Sequence, residues 1–276
     1  MIRTLKHLAY VLKVDLSEIN SIIANIDKFY YEKRKVKTKD DGTPKTKNGV
    51  IQIRVLNPSL KRLKTIQERI QENIFQQMIL PNYAYGGVKG KDNISNAKKH
   101  QGNKFIFTTD LANFFPSIRN KNVFDMFRLN GFSPTVSSCL TKLTTYKGRI
   151  PQGAPTSTML ANLVFVKTGK NLLALSKSHQ LVFTSFVDDL TFSCKTDFKD
   201  ISNLILEAIK ADGYRISHNK TNYKTKKPIV TGVVVKNNGL DVTDEFKKKL
   251  SNTDGYSEEK KIGLKRYYER VKNSKK

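Results

Sequence analysis

Apolar residues recur at helical spacing in two stretches near the start of the chain. Ile19, Ile22, Ile23, Ile26 and Tyr30 fall on one face of a helix predicted over residues 15–30, with Asp15 and Glu18 spaced as a capping box at its start. The preceding MIRTLKHLAYVLKVDLSEIN is helical in pattern too, although Lys6, His7, Lys13 and Asp15 interrupt it. Leu63, Ile66, Ile70 and Ile74 predict a further helix over residues 60–78 with a basic outer face. Between these helices, YEKRKVKTKDDGTPKTKNG has the polar, Gly- and Pro-punctuated look of an exposed basic loop or loose hairpin, with Asp40–Asp41 before Gly42 as a solvated turn. VIQIRVL then predicts a short strand, which Asn57-Pro58 stops.

Residues 81–103 (PNYAYGGVKGKDNISNAKKHQGN) are rich in turn formers. KFIFTTD predicts a strand that ends on Asp110, and FSPTVSSCLTKLTTY a helix, followed by the turn KGRIPQGAPTS. A helix is predicted from about Thr158 to Leu175, a hairpin at FTSFVDDLTF, a helix from about Asp200 to Asp212, and strand-like structure in PIVTGVVV. Near the C-terminus, Leu264, Tyr267, Tyr268 and Val271 share one face of a helix ringed by Lys and Arg. Helices and hairpins mixed in this way predict an α+β fold with an antiparallel sheet at its centre.

Charge adds what the pattern lacks. The 276 residues carry 50 Lys and Arg against 24 acids, a formal net charge of +26. Such an excess favours a polyanion, with nucleic acid ahead of an anionic membrane surface, because a phosphate lattice rewards dispersed cations through counterion release. No apolar run reaches the roughly 18–20 residues that span a bilayer, so no membrane partner is expected. The N-terminus lacks a long apolar core and a small-residue cleavage site, so no signal peptide is read there and a cytoplasmic protein is expected. Cys139 and Cys194 make neither a disulfide framework nor a zinc site and are expected as buried, reduced thiols.

The acids then stand out. Asp110 ends one predicted strand, and Asp188–Asp189 sit at a hairpin tip between FTSF and LTFS, unlike Asp40–Asp41 among lysines. If those strands are neighbours, three carboxylates converge at the rim of a sheet. Like charges so close must share protons or bind a cation. With a phosphate-bearing partner, Mg²⁺ and its preference for hard oxygen ligands fit best. Adjacent strand residues face opposite sides, so Asp188 is expected as the stronger ligand and Asp189 more to the side.

Taken in order, these residues resemble the motif series of a reverse transcriptase palm. DLANFFPSI from Asp110 is similar to motif A, and IPQGAPTSTMLANLVF (150–165) to motif B. FVDDLTFS (186–193) is similar to the YxDD box, with Phe186 in place of the tyrosine, and HNKT (218–221) to the lysine block that follows. VTGVVV (230–235) sits where primer-grip strands are expected. NAKKH (96–100) and VTG (230–232) resemble the NAxxH and VTG markers of bacterial retron reverse transcriptases. The resemblance covers about residues 50 to 236.

It implies a right-hand-type fold, with fingers and palm around the antiparallel sheet and a small, helical, basic, thumb-like C-terminal region. Residues 1–100 would hold N-terminal helices and fingers, 101–236 the palm with fingers elements interleaved, and 237–276 the thumb-like region. Asp110, Asp188 and Asp189 become the catalytic triad holding two Mg²⁺ ions. Phe115, five residues after Asp110, matches the bulky residue that excludes a ribonucleotide 2′-hydroxyl. Gln152 and Gly153 match the pair near the incoming nucleotide and template, and Lys220 a lysine near the leaving pyrophosphate. Thr158 stands where motif B often has proline. For the triphosphate clamp, Arg54 is favoured over Lys45 and Lys47.

The retron branch implies a template in a structured non-coding RNA, deoxynucleoside triphosphates as substrates, and a single-stranded DNA product branched from a guanosine 2′-hydroxyl. It also implies a role in anti-phage defence with a separate effector protein, since the chain stops soon after its last helix. Asn96 and His100 of the NAxxH marker, together with Lys247, Lys248, Lys249, Lys265, Arg266, Tyr267 and Arg270, are the expected RNA-binding residues. Two alternatives stay open: a non-catalytic basic RNA-binding protein of polymerase-like fold, and a group II intron or abortive-infection type of reverse transcriptase.

Overall fold

The computed structural model describes residues 2–39 and 42–274; the Asp40–Asp41 pair lies outside them. In chain order, helices α1 (Leu5–Leu12) and α2 (Leu16–Ala24) lead into strands β1 (Lys33–Val36), β2 (Thr46–Lys47), β3 (Val50–Ile51) and β4 (Ile53–Leu56). Helices α3 (Lys61–Asn73) and α4 (Asn93–Lys99) precede strand β5 (Phe105–Asp110). Then come helices α5 (Phe114–Ser117), α6 (Asn120–Leu129), α7 (Pro134–Thr144) and α8 (Ser157–Ser178). Strands β6 (Val182–Phe186) and β7 (Asp189–Cys194), helix α9 (Ile201–Ala211) and strands β8 (Asn222–Lys224), β9 (Ile229–Val230), β10 (Val233–Val235) and β11 (Leu240–Val242) follow. Helices α10 (Asp244–Ser251) and α11 (Glu258–Lys272) end the chain. The fold is α+β with antiparallel sheets, as the hydrophobic pattern predicts.

Contacts divide the chain into two units, neither of them contiguous in sequence. The first comprises Met1–Lys37, Thr46–Pro81 and Asn113–Val166; the second comprises Thr38–Lys45, Asn82–Ala112 and Lys167–Lys276.

In the first unit, α1, α3 and α7 pack through the predicted stripes. Leu8, Leu12, Ile19, Leu63, Ile66, Ile70, Val136 and Leu140 are almost completely buried. Each such side chain removed from water contributes about 1.5–3 kcal/mol. Gln67 is buried among them because its amide donates to Tyr30 Oη and to the Leu143 carbonyl, both at 2.8 Å. The Asp15–Glu18 capping box does not form: Asp15 caps nothing with its side chain, and Glu18 instead pairs with Arg62 at 2.6 Å. β1 and β4 pair antiparallel into an exposed basic ribbon, and β2 pairs with β3.

The second unit is built on a four-stranded antiparallel sheet in the order β6-β7-β5-β8. Phe107, Phe183 and Phe192 alternate onto one face, where the rings of Phe183 and Phe192 stack 4.7 Å apart. A three-stranded sheet, β11-β10-β9, packs with α4 and α11 around Ile94, Ala97, Val230, Val233, Val235, Val242 and Val271.

Two local expectations change. The turn-rich stretch 81–103 contains α4, capped by Asp92, which accepts the Ser95 backbone N–H at 2.8 Å. PIVTGVVV is strand-like as expected but gains a turn, forming the β9–β10 hairpin through Thr231 (φ 45°) and Gly232 (φ 81°). Positive φ at both central residues is the condition of a type I′ turn, whose twist matches that of paired strands.

Candidate active site

The acids of the second unit meet at one end of its four-stranded sheet. Asp110 is the last residue of β5 and lies directly opposite Asp189, the first residue of β7. Phe186 pairs with Asp189 across the hairpin, so Val187 and Asp188 form a two-residue turn. Asp188 is held by its backbone, whose carbonyl accepts the Leu111 N–H at 2.9 Å. Asp110 is fixed from the other side: its carbonyl accepts the Ser217 N–H at 2.8 Å. The sequence places Asp189 to the side of the cluster; the register instead makes it the cross-strand partner of Asp110.

Burial and the charges of Asp188 and Asp110 push the Asp189 carboxyl up to about 7. Lys220 supplies the compensating cation, with Nζ 2.5 Å from Asp110 Oδ2. Burial works to lower the Lys220 ammonium, but the hydrogen bond it donates to Asp110 and the charges of Asp110, Asp189 and Asp188 outweigh it and raise its pKa. Among the described residues, no three acidic, histidine or cysteine side chains already form a closed set of metal ligands. The expected three-acid cage is therefore not finished here; one oxygen of Asp110 is engaged by Lys220. The donor set nevertheless fits a hard divalent cation, being oxygen-only and short of positive charge.

Apart from Lys220, the residues expected around the nucleotide lie in the first unit. Phe115 is half-buried at the start of α5, while Phe114 beside it is core, packed edge-on against Phe165 at 5.9 Å. The Gln152 carbonyl accepts the Asn57 N–H at 2.7 Å, joining the turn before α8 to the end of the β1–β4 ribbon. Gly153 has φ 100° and faces Pro58 and Leu56. Arg54 is exposed on β4 opposite Lys35.

The expected RNA-binding set separates into two groups. Asn96 and His100 are both 0% exposed, which removes them from direct RNA contact. Asn96 donates from Nδ2 to Thr231 Oγ1 at 3.2 Å, and Asn93 donates to the Thr231 carbonyl at 3.1 Å. His100 bridges the β6–β7 hairpin, its Nδ1 2.7 Å from Ser193 Oγ and its Nε2 2.8 Å from Thr184 Oγ1. The two markers are thus parts of one device, in which α4 grips the turned-back Thr231 with one end and β6–β7 with the other. Sequence reading missed Thr184, Ser193 and Asn93; the available signal was the Thr231-Gly232 dipeptide between two β-branched runs.

Among the remaining residues of that set, Lys248, Lys265 and Arg266 are exposed and Lys249 is half-buried. Lys247 lies between Asp241 (3.4 Å) and Asp244 (3.6 Å). Tyr267 Oη accepts from Asn93 at 2.8 Å, and Arg270 pairs with Asp92, so both hold α11 to α4. Cys139 is buried and Cys194 half-exposed, which corrects the expectation of two buried thiols. No described helix is long and apolar enough to cross a membrane.

A family model described as reverse transcriptase (RNA-dependent DNA polymerase) matches residues 8–235. Among curated proteins, the chain is 30% identical to the retron Se72 reverse transcriptase of Salmonella heidelberg (strain 579083-10), over 88% of this chain and 65% of that one. It is 32% identical to the retron Ec86 reverse transcriptase of Escherichia coli, over 71% and 62% of the two chains. With the retron Mx162 reverse transcriptase of Myxococcus xanthus it shares 30% identity over 68% and 45%. The chain thus spans less than two thirds of the length of these curated relatives.

Proposed function

The chain belongs to the reverse transcriptase (RNA-dependent DNA polymerase) family, and from that premise we propose that it is a retron-type enzyme that copies a structured non-coding RNA into single-stranded DNA. The observation that carries this reading is the pairing of Asp110 with Asp189 at a sheet end, with Asp188 in the adjoining turn and Asp189 raised by burial and by the charges of Asp188 and Asp110. A binding scaffold gains nothing from crowding carboxylates in a chain of net charge +26.

In this reading Asp110, Asp188 and Asp189 hold two Mg²⁺ ions. When bound, such ions activate the attacking hydroxyl and neutralise the leaving pyrophosphate. Lys220 brings an ammonium beside Asp110, where it offsets negative charge that builds on the phosphates. Phe115 sets the steric limit at the sugar 2′ position, Gln152 and Gly153 support the incoming nucleotide and template, and Arg54 offers a charge for the triphosphate. Lys248, Lys265 and Arg266 provide exposed cations for RNA phosphates. Priming from an RNA 2′-hydroxyl and service in anti-phage defence beside a separate effector protein belong to the same proposal, as implied by the resemblance to the retron branch.

The test is to purify the protein from cells carrying its neighbouring RNA locus and digest the bound nucleic acid with RNase. Surviving single-stranded DNA, lost in the Asp188→Asn Asp189→Asn variant, supports the proposal. RNA alone from both proteins would leave a basic RNA-binding protein as the reading.

A further inference from the structure

Val187 begins the two-residue turn of the catalytic hairpin with φ 60°. Positive φ at the first position alone is the type II′ pattern, where glycine is the usual residue. A β-branched side chain there is a genuine outlier and persists only when the surroundings hold it. A strap formed by residues 82–91 supplies that hold. Tyr85 N–H donates to the Ser185 carbonyl and Ser185 N–H to the Tyr83 carbonyl, both at 2.8 Å, so residues 83–85 run parallel to the free edge of β6. The strap is pinned at both ends. Tyr83 presses on α8 so closely that a Cβ on Gly169 would lie 2.1 Å from its hydroxyl, and Lys91 Nζ donates to the Ala84 carbonyl at 2.7 Å while lying over the Tyr85 ring.

At the end of this paired stretch, the backbone of Gly86 lies flush against the turn. A Cβ built there would stand 2.6 Å from Val187 Cγ2, 2.7 Å from Val187 N and 2.8 Å from the Phe186 carbonyl carbon. Two of these three atoms are backbone, so no rotamer change relieves the overlap. We infer that Gly86 is a positioning residue, the buttress that keeps Val187 left-handed and thereby fixes where the turn carries Asp188. The inference deepens the polymerase reading and rests on it for its kinetic consequence. Its structural consequence stands alone: any side chain at 86 must push the turn by several tenths of an ångström or lift the strap off β6.

The experiment compares the wild-type chain with Gly86→Ala and with Gly86→Ala Val187→Gly, which removes Cγ2 and restores a residue at ease at positive φ. Primer–template affinity is read by fluorescence anisotropy in EDTA, nucleotide addition by kcat and KM, and the turn by hydrogen exchange at the Leu111 amide, which donates to Asp188. Displacing a reacting group by a fraction of an ångström costs roughly 10- to 100-fold in rate. Gly86→Ala is expected to lose that much kcat while KM and affinity stay within about threefold. Leu111 exchange should rise at least about tenfold with Ile106–Thr108 unchanged, and the double variant should recover part of both.

Wild-type kcat and exchange in Gly86→Ala would overturn the inference. So would an equal loss of affinity and kcat without recovery, the mark of general damage. Should Gly86→Ala not fold, the double variant is measured in its place, and its failure to fold as well would show that Gly86 serves the fold rather than the turn. A wild-type chain that adds no nucleotide sinks the polymerase reading instead, and Leu111 exchange still decides the role of Gly86.

Discussion

The marker histidine offers a sharp quantitative test. His100 is 0% exposed, and both ring nitrogens are engaged by the hydroxyls of Ser193 and Thr184. Burial holds its pKa down at about 3, so it stays neutral wherever the fold survives. An unfolded chain returns the ring to about 6.5 and takes up a proton there, so acid favours unfolding. The sign follows from the depressed folded value: the unfolded state binds more protons between about 3 and 6.5, and stability falls as the pH drops through that window. Between pH 8 and pH 5 the linkage relation gives a loss of about 2 kcal/mol. That figure hardly changes if the folded value is 4 rather than 3, because at pH 5 the unfolded state sets it. Asp189 titrates with the opposite sign, but it is common to wild type and variant and cancels in the comparison. The perturbation is His100→Asn, which keeps hydrogen-bonding capacity and removes the titration. Urea unfolding of both proteins at pH 8 and pH 5, followed at the transition that melts β6–β7, should show the wild-type advantage shrinking by about 2 kcal/mol at the lower pH. An advantage that stays constant within about 0.5 kcal/mol refutes the argument that burial holds His100 neutral.

Three further outcomes follow from residues around the same elements. Thr231 is held left-handed and accepts from the buried Asn96, so Thr231→Ala keeps the strain, strands the Asn96 amide and costs about 1–2 kcal/mol in thermal or urea unfolding. Thr231→Gly loses the same bond but relieves the backbone, so it should be the milder of the two; the reverse order would contradict the turn assignment. Cys139 is pushed up to about 11 by burial, whereas burial of Cys194 is outweighed by hydrogen bonds from Thr196 and Lys195 that lower it. A thiol reagent on the native protein at pH 8 should therefore label one cysteine quickly, and Cys194→Ser should abolish that fast phase.

Much of the scaffold is legible in the sequence because it follows period. The stripes at Leu63–Ile70 and the alternation in FIFTTD and LTFSC fix α3, β5 and β7, and the apolar flanks of Asp188–Asp189 single them out from Asp40–Asp41. Convergence of the acids could be anticipated for neighbouring strands, because Asp110 ends one strand pattern and Asp188–Asp189 occupy a hairpin tip. What the sequence hides depends on distant partners. Helix α4 carries polar residues such as Asn93, Asn96 and His100 on its inner side, which look like loop composition until Thr231, Thr184 and Ser193 arrive to satisfy them. The place of Asp189 opposite Asp110 depends on register, which alternation alone leaves free by two residues. Glu18 forgoes its capping box because Arg62, 44 positions away, gives a charge-assisted bond instead.

The central claim is that three carboxylates at the end of one sheet perform divalent-metal-dependent nucleotide addition. Primer extension on an RNA template with Mg²⁺, run with wild type and with Asp110→Asn, Asp188→Asn and Asp189→Asn, tests it most directly. The predicted result is template-directed DNA synthesis by wild type, a loss in kcat of at least about a thousandfold in each variant, and primer–template affinity within about threefold. Synthesis that survives any one of these changes at near wild-type rate, or that proceeds undiminished in EDTA, would contradict it.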